Sequence, residues 1–363
     1  MNFKLNTISA VLSSAVLVTA LSGCTSNDDT QNTTEIAKPA VEAKLFGPQQ
    51  NMQGSQAAAL GNNQWLMASE SQGLLLADNE KSSVLLAGNF ESISLKQLSA
   101  QQFILASLDK SQDNVAIFKL TKNGQTWQLN ELTRISPPQA QPDAVCLFKN
   151  SNTETVSAFV PDVRGLISET VIYDLATNQA KNIAVREFPA VTEASGCAVN
   201  DDTKTLYVGE AELGVWAINA DAESDANKQP VALVQPYGEL NSEIGALSVS
   251  QDGTLWLSAT DDSMVYAYQA QTDTLSQWSL SGEYTIESVA ASFINDNQAQ
   301  LVLIDDETGA YIQANVNYAA QTSVSNSKVA MTHLHASAQT TPVAAFGDAA
   351  DDPAIWINEH DAK

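Results

Sequence analysis

The chain has 363 residues, 44% hydrophobic and 16% charged, with 42 acidic against 17 basic side chains and a formal charge of -25. That is enough apolar material for one large domain or two ordinary ones, and so negative a surface excludes nucleic acid and anionic lipid headgroups as partners. The same acidity suits calcium, whose ligands are carboxylate and carbonyl oxygens, or serves solubility alone.

In chain order, Lys4 precedes an apolar run from Ile8 to Leu21. It is too short to span a bilayer and fits the apolar region of a signal peptide. The following L-S-G-C, Leu21 to Cys24, resembles a bacterial lipoprotein box. That resemblance implies residues 1–24 as a signal peptide with diacylglycerol on Cys24, hence a membrane partner through the lipid. It also implies a place in the bacterial cell envelope, facing the periplasm or the cell surface. Residues 25–44 are polar and read as a flexible tether.

From Leu45 onward no long amphipathic helix is predicted. A strand–turn–strand unit recurs instead, at Gln64, Gln102, Thr155, Thr205, Thr254 and Gln300. Its strands are rich in Val, Leu, Ile, Tyr and Trp, which suit a pleated surface. D-G-T at Asp252 and D-D-T-K at Asp201 supply turn chemistry ahead of strands. The interval of roughly 40 to 50 residues is that of propeller blades, so six units over 45–314 predict an all-β, six-bladed β-propeller. A pair of β-sandwiches is the alternative.

Cys146 and Cys197 could pair in an oxidising compartment, but each sits in an apolar, strand-like stretch, and two separate buried thiols are expected. Residues 315–340 read as a linker. His333 and His335 in T-H-L-H could form a metal pair, but lack acidic or histidine neighbours and are expected to be incidental. All three histidines, with His360, lie outside the blades. A Ser/His/Asp hydrolase would therefore have no histidine base within them.

Near the end, T-T-P-V-A-A-F-G is followed by D-A-A-D-D-P-A-I-W. This string resembles the β-propeller phytases, calcium-dependent enzymes that dephosphorylate myo-inositol hexakisphosphate. The resemblance implies a catalytic-calcium role for Asp351 and a structural-calcium role for Asp352 and the Pro353 carbonyl. Neighbouring residues on an extended chain point to opposite sides, so one carboxylate can face the channel and the next the blade. Residues 341–363 then read as the truncated start of a second propeller, the phytase domain proper.

The same family is similar, more weakly, across Ser55 to Ala314. In E-A-S-G-C-A-V-N-D-D-T-K-T-L-Y-V-G-E-A-E-L-G-V-W, Glu193 to Trp216, the fold-carrying Gly196, Leu206, Tyr207 and Trp216 are kept. Ser195 stands where the family has a glutamate, and of its paired glutamates Glu210 remains while Ala211 replaces the second. The family's D-I-E-G becomes E-I-G-A, leaving Glu243 as a ligand but Gly245 with no side chain. Its lysine pair becomes Glu70 and Ser71. An arginine place becomes Asp109 beside Lys110, and a lysine place becomes Val163 beside Arg164.

The resemblance thus implies calcium as cofactor and phytate, as its calcium complex, as substrate. Candidate metal ligands are Asp351, Asp352, Pro353, Glu210 and Glu243; Lys110 and Arg164 are the remaining phosphate contacts. No catalytic residue is assigned within 45–314. These blades read as a degenerate, auxiliary or weakly active propeller partnered with a C-terminal phytase domain. The alternative is a non-catalytic propeller lipoprotein that binds a ligand or serves as a scaffold.

Overall fold

Each of the six recurring units becomes the middle hairpin of a four-stranded antiparallel sheet. The computed structural model describes residues 40–46, 52–78, 80–136, 140–295 and 297–318, and no helix occurs among them. Blade 1 is β2 (Gly54–Gly61), β3 (Gln64–Ser69), β4 (Gly73–Ala77) and β5 (Ser82–Leu86); blade 2 is β6 (Phe90–Ser99), β7 (Gln102–Asp109), β8 (Asn114–Asn123) and β9 (Thr126–Ile135). Blade 3 is β10 (Cys146–Asn150), β11 (Thr155–Pro161), β12 (Leu166–Asp174) and β13 (Gln179–Pro189); blade 4 is β14 (Ala194–Asn200), β15 (Thr205–Glu210), β16 (Gly214–Asn219) and β17 (Gln229–Leu233). Blade 5 is β18 (Ser248–Val249), β19 (Leu255–Ala259), β20 (Met264–Gln269) and β21 (Thr274–Ser279). Blade 6 joins β22 (Ile286–Asn295), β23 (Gln298–Asp305) and β24 (Ala310–Asn317) to the N-terminal β1 (Ala43–Leu45).

The ring is closed through β1. Ala43 and Lys44, expected in the tether, register against Ala314 and Gln313 of β24. Asn315 to Asn317, expected in the linker, complete that same strand. A three-residue strand carries no periodicity of its own; what holds it is the unpaired edge of β24.

The first strands of the blades neighbour one another in a closed circle, β2 to β6 to β10 to β14 to β18 to β22 and back to β2, around the central axis. Alternation along each middle strand then sends successive side chains to opposite neighbours. In β3, Leu66 and Ala68 pack towards blade 2 while Trp65 and Met67 pack towards blade 6. In β23, Leu301 and Leu303 face blade 5 while Val302 and Ile304 face blade 1. One apolar cluster fills each of the six blade–blade interfaces. A lone blade would leave both faces wet, at roughly 25 cal/mol per Å² of apolar surface.

Each first strand also turns a sheet edge to the axis, and polar side chains of other blades bond to these edges or to the turns beside them. Gln56 Oε1 accepts from the Ile93 amide (2.7 Å). Ser92 Oγ and Ser94 Oγ accept from the Val145 and Leu147 amides (3.1 and 2.9 Å). Asp201 Oδ1 accepts from the Lys149 amide (3.1 Å), and Asn200 Nδ2 donates to the Gly253 carbonyl (3.1 Å). Ser258 Oγ donates to the Ile286 carbonyl (2.9 Å), and Ser288 Oγ closes the circle on the Ser55 carbonyl (2.8 Å). Lys96 reaches from blade 2 past blade 3 to the Val199 carbonyl and Asp201 Oδ1 of blade 4 (2.9 and 2.7 Å).

Between blades 3 and 4 the link is covalent. Cys146 and Cys197 form a disulfide with Cα atoms 5.8 Å apart, which corrects the expectation of two separate thiols. The residues lie 51 positions apart, and only the ring order brings β10 beside β14. Thiol labelling in denaturant should modify neither residue before reduction and both after it. The C146A/C197A variant should lose about 2–4 kcal/mol of stability in denaturant unfolding.

Candidate functional site

First strands begin, and second strands end, on the same face of the propeller. The residues singled out in the sequence, Glu70, Lys110, Arg164, Ser195, Glu210, Glu243 and Gly245, therefore gather around that mouth. Cys24, His333, His335, Asp351, Asp352, Pro353 and His360 lie outside the described residues.

The two candidate phosphate contacts are both engaged. Lys110 Nζ lies 2.9 Å from Glu91 Oε2. Arg164 Nη2 lies 2.6 Å from Asp162 Oδ2 and 3.2 Å from Glu187 Oε2. Asp109 is buried and takes Arg134 Nη1 at 2.7 Å.

Of the candidate calcium ligands only Glu210 and Glu243 are among the described residues, and no metal-holding group forms around either. Glu210 accepts from Trp216 Nε1 (2.8 Å) and Thr192 Oγ1 (3.4 Å), which ties it to its own blade. Glu243 is exposed, and its backbone carbonyl accepts the Thr260 amide (2.8 Å). Ser195 donates to the Gly245 carbonyl (3.2 Å). Among the described residues, no three acidic, histidine or cysteine side chains come together in a way that could hold a metal ion. Around Glu210 and Glu243, the recognised positions therefore assemble no calcium cluster among the described residues.

What the mouth does carry is a set of carboxylates outside the recognised strings: Glu91 at the start of β6, Asp143 before β10, Glu287 at the start of β22 and Asp306 after β23. Burial, then repulsion from Asp306, Glu70 and Glu91, pushes the Glu287 carboxyl from its ordinary 4.5 to about 7. Burial and neighbouring Asp162 push Asp143 to about 6, against a backbone hydrogen bond from Ala194 and the charge of Lys110. Glu70 is raised by burial and by Glu91, with Lys110 opposing. Each of these residues is an ordinary strand-end acid in the sequence. Only the circular blade order, which sets Glu287 of blade 6 beside blades 1 and 2, makes them a group. On the opposite face a shallow cleft of about 440 Å³ is lined by Asn62, Asn63, Gln64, Asp78, Glu80, Lys122 and Gln125.

A six-bladed β-propeller with one acidic mouth is thus the class that fold and site define. A family model described as Phytase matches residues 65–292, more than half of the sequence, and the chain belongs to that family. No curated protein matches. Similar solved structures include a luciferin-regenerating enzyme (12% identity over 74% of this chain and 92% of that one, TM-score 0.49). Others are the PQQ-bound aldose sugar dehydrogenase of Streptomyces coelicolor (12%, 75% and 97%, 0.49) and the β-propeller domain of Cps50 (Swd1) from Myceliophteria thermophila (9%, 76% and 100%, 0.48). At those identities and scores none bears on what this chain does.

The raised carboxyls set a pH dependence. The folded state holds the protons of Glu287 and Asp143 more tightly than the unfolded chain does. Below the ordinary carboxylate range both states are protonated and neither group costs stability. As pH climbs from the ordinary carboxylate range towards about 6 and 7 the unfolded chain has released these protons while the folded state still holds them, so stability falls over that window and levels off above it. E287Q and D143N should therefore each be more stable than the parent at pH 8. The gain should be about 1 kcal/mol after allowance for solvent screening, and much smaller at pH 4, read from denaturant unfolding at the two pH values.

Proposed function

We propose that this propeller is the auxiliary or weakly active part of a phytase-family protein. In its full-length form that protein removes phosphate from myo-inositol hexakisphosphate with calcium. Calcium in such a site neutralises phosphate oxygens and lowers the pKa of a bound water. One observation carries the assignment of a minor role to these blades: Ser195, Ala211 and Gly245 occupy the family's carboxylate places, and Glu210 and Glu243 are not joined there by a third ligand. Lys110 and Arg164, the remaining basic groups, are held by Glu91 and by Asp162 with Glu187. In this reading the calcium ligands that count are Asp351, Asp352 and Pro353 of the next domain. Lipid on Cys24 would hold the protein to the cell envelope, facing the periplasm or the cell surface.

The acidic mouth favours a second reading, a non-catalytic propeller that binds a ligand or serves as a scaffold. With Glu70 in a lysine place, the mouth repels a polyphosphate.

Phosphate release from phytate with calcium, compared between the 363-residue chain and a form extended by the downstream domain, tests the proposal. The chain should be slower by at least about 100-fold, since one lost electrostatic donor alone is worth that much. Comparable rates would overturn the auxiliary role, and release by neither form would leave the binding-module reading.

A further inference from the structure

The places in blades 4 and 5 where the resemblance puts carboxylates hold more than substituted residues. A Cβ added at Gly245 would lie 2.0 Å from the Glu287 carbonyl oxygen and 2.8 Å from Ser258 Oγ. That carbonyl cannot move aside freely, because the Ala246 amide donates to it at 2.6 Å. Ser258 Oγ is likewise fixed on the Ile286 carbonyl at 2.9 Å. One junction away, a Cβ at Gly196 would lie 2.8 Å from Ala246 Cα, and one at Gly209 would lie 2.5 Å from Ser195 Oγ. Ser195 Oγ, in turn, donates to the Gly245 carbonyl at 3.2 Å. Backbone and hydroxyl oxygens of the protein thus stand where the resemblance puts a ligand side chain.

From this packing we infer that blades 4, 5 and 6 close around the axis by direct protein contact, without a cation, and that the space for a ligand at position 245 has been consumed. The loss of the carboxylate at Gly245 is then not reversible by replacing one side chain. Any side chain there must push the Glu287 backbone, and with it the start of β22, away from blade 5. Gly245, Ala246 and Ser195 form a direct junction between blades 4, 5 and 6, continuous with the side-chain-to-backbone bonds around the rest of the axis. The inference deepens the auxiliary role proposed above, and it concerns the stability of the ring rather than phosphate release.

The test is thermal unfolding of the 363-residue chain in excess calcium and in EGTA. It is repeated on a D351N/D352N variant, so that binding by the C-terminal string is subtracted. In that variant the two melting temperatures should agree within about 1 °C. A site holding calcium at 100 times its Kd would separate them by about 5 °C, and such a separation would overturn the inference. G245A should melt at least about 5 °C below the parent or fail to fold, either result agreeing with a filled space; a parental melting temperature would contradict it. S195E/G245E on the D351N/D352N background should show no calcium-dependent rise, and a folded variant stabilised by calcium would also overturn the inference. The phosphate-release comparison reads a different quantity, so either account can fail while the other stands.

Discussion

A strand that borders an open axis has amide and carbonyl groups with no partner strand, and the architecture must satisfy them. In this chain the first strand of every blade is such an edge. Polar side chains of neighbouring blades do most of the work: Gln56 for blade 2, Ser92 and Ser94 for blade 3, Asn200 and Ser195 for blade 5, Ser258 for blade 6, and Ser288 for blade 1. Blades 3 and 4 add a disulfide and the bond from Lys149 to Asp201. Each bond is worth about 1 kcal/mol, but each orphaned group would cost more. The apolar clusters between blades supply the larger driving force; the polar ring fixes how closely the blades approach at the axis.

That close approach governs the site. Small residues at 195, 196, 209, 245 and 246 let blades 4, 5 and 6 meet backbone to backbone, with no room between them for a larger side chain at Gly245. Acids remain where the mouth widens, at Glu70, Glu91, Glu287 and Asp306. Burial, then repulsion from Asp306, Glu70 and Glu91, pushes the Glu287 carboxyl up to about 7.

The middle hairpins were legible in the sequence because both faces of those strands are buried, so β3, β11, β15 and β23 read as unbroken apolar runs. The outer strands were not. Gln179–Pro189 is exposed along most of its length and reads as a polar loop. The first strands are obscure for another reason: G-S-Q-A-A-A-L-G is small and polar because it lies against the axis. Propeller family membership could be read from Gly196, Leu206, Tyr207 and Trp216. That Ser195, Ala211 and Gly245 carry no carboxylate was visible as well. The closing of the space at Gly245 was not, since it depends on a carbonyl 42 positions later in the chain, that of Glu287. Nor was the acidic mouth, whose members come from separate blades and share no motif.

Amide hydrogen exchange at the axis addresses the central claim most directly. The amides of Ile93, Leu147, Lys149 and Ala246 sit on strand edges that would exchange quickly if nothing covered them. If the protein's own side chains and carbonyls complete those edges, these amides should exchange as slowly as the paired amides of β7 and β11, equally in calcium and in EGTA. Fast exchange at these four positions, or protection that disappears when calcium is chelated, would contradict the account.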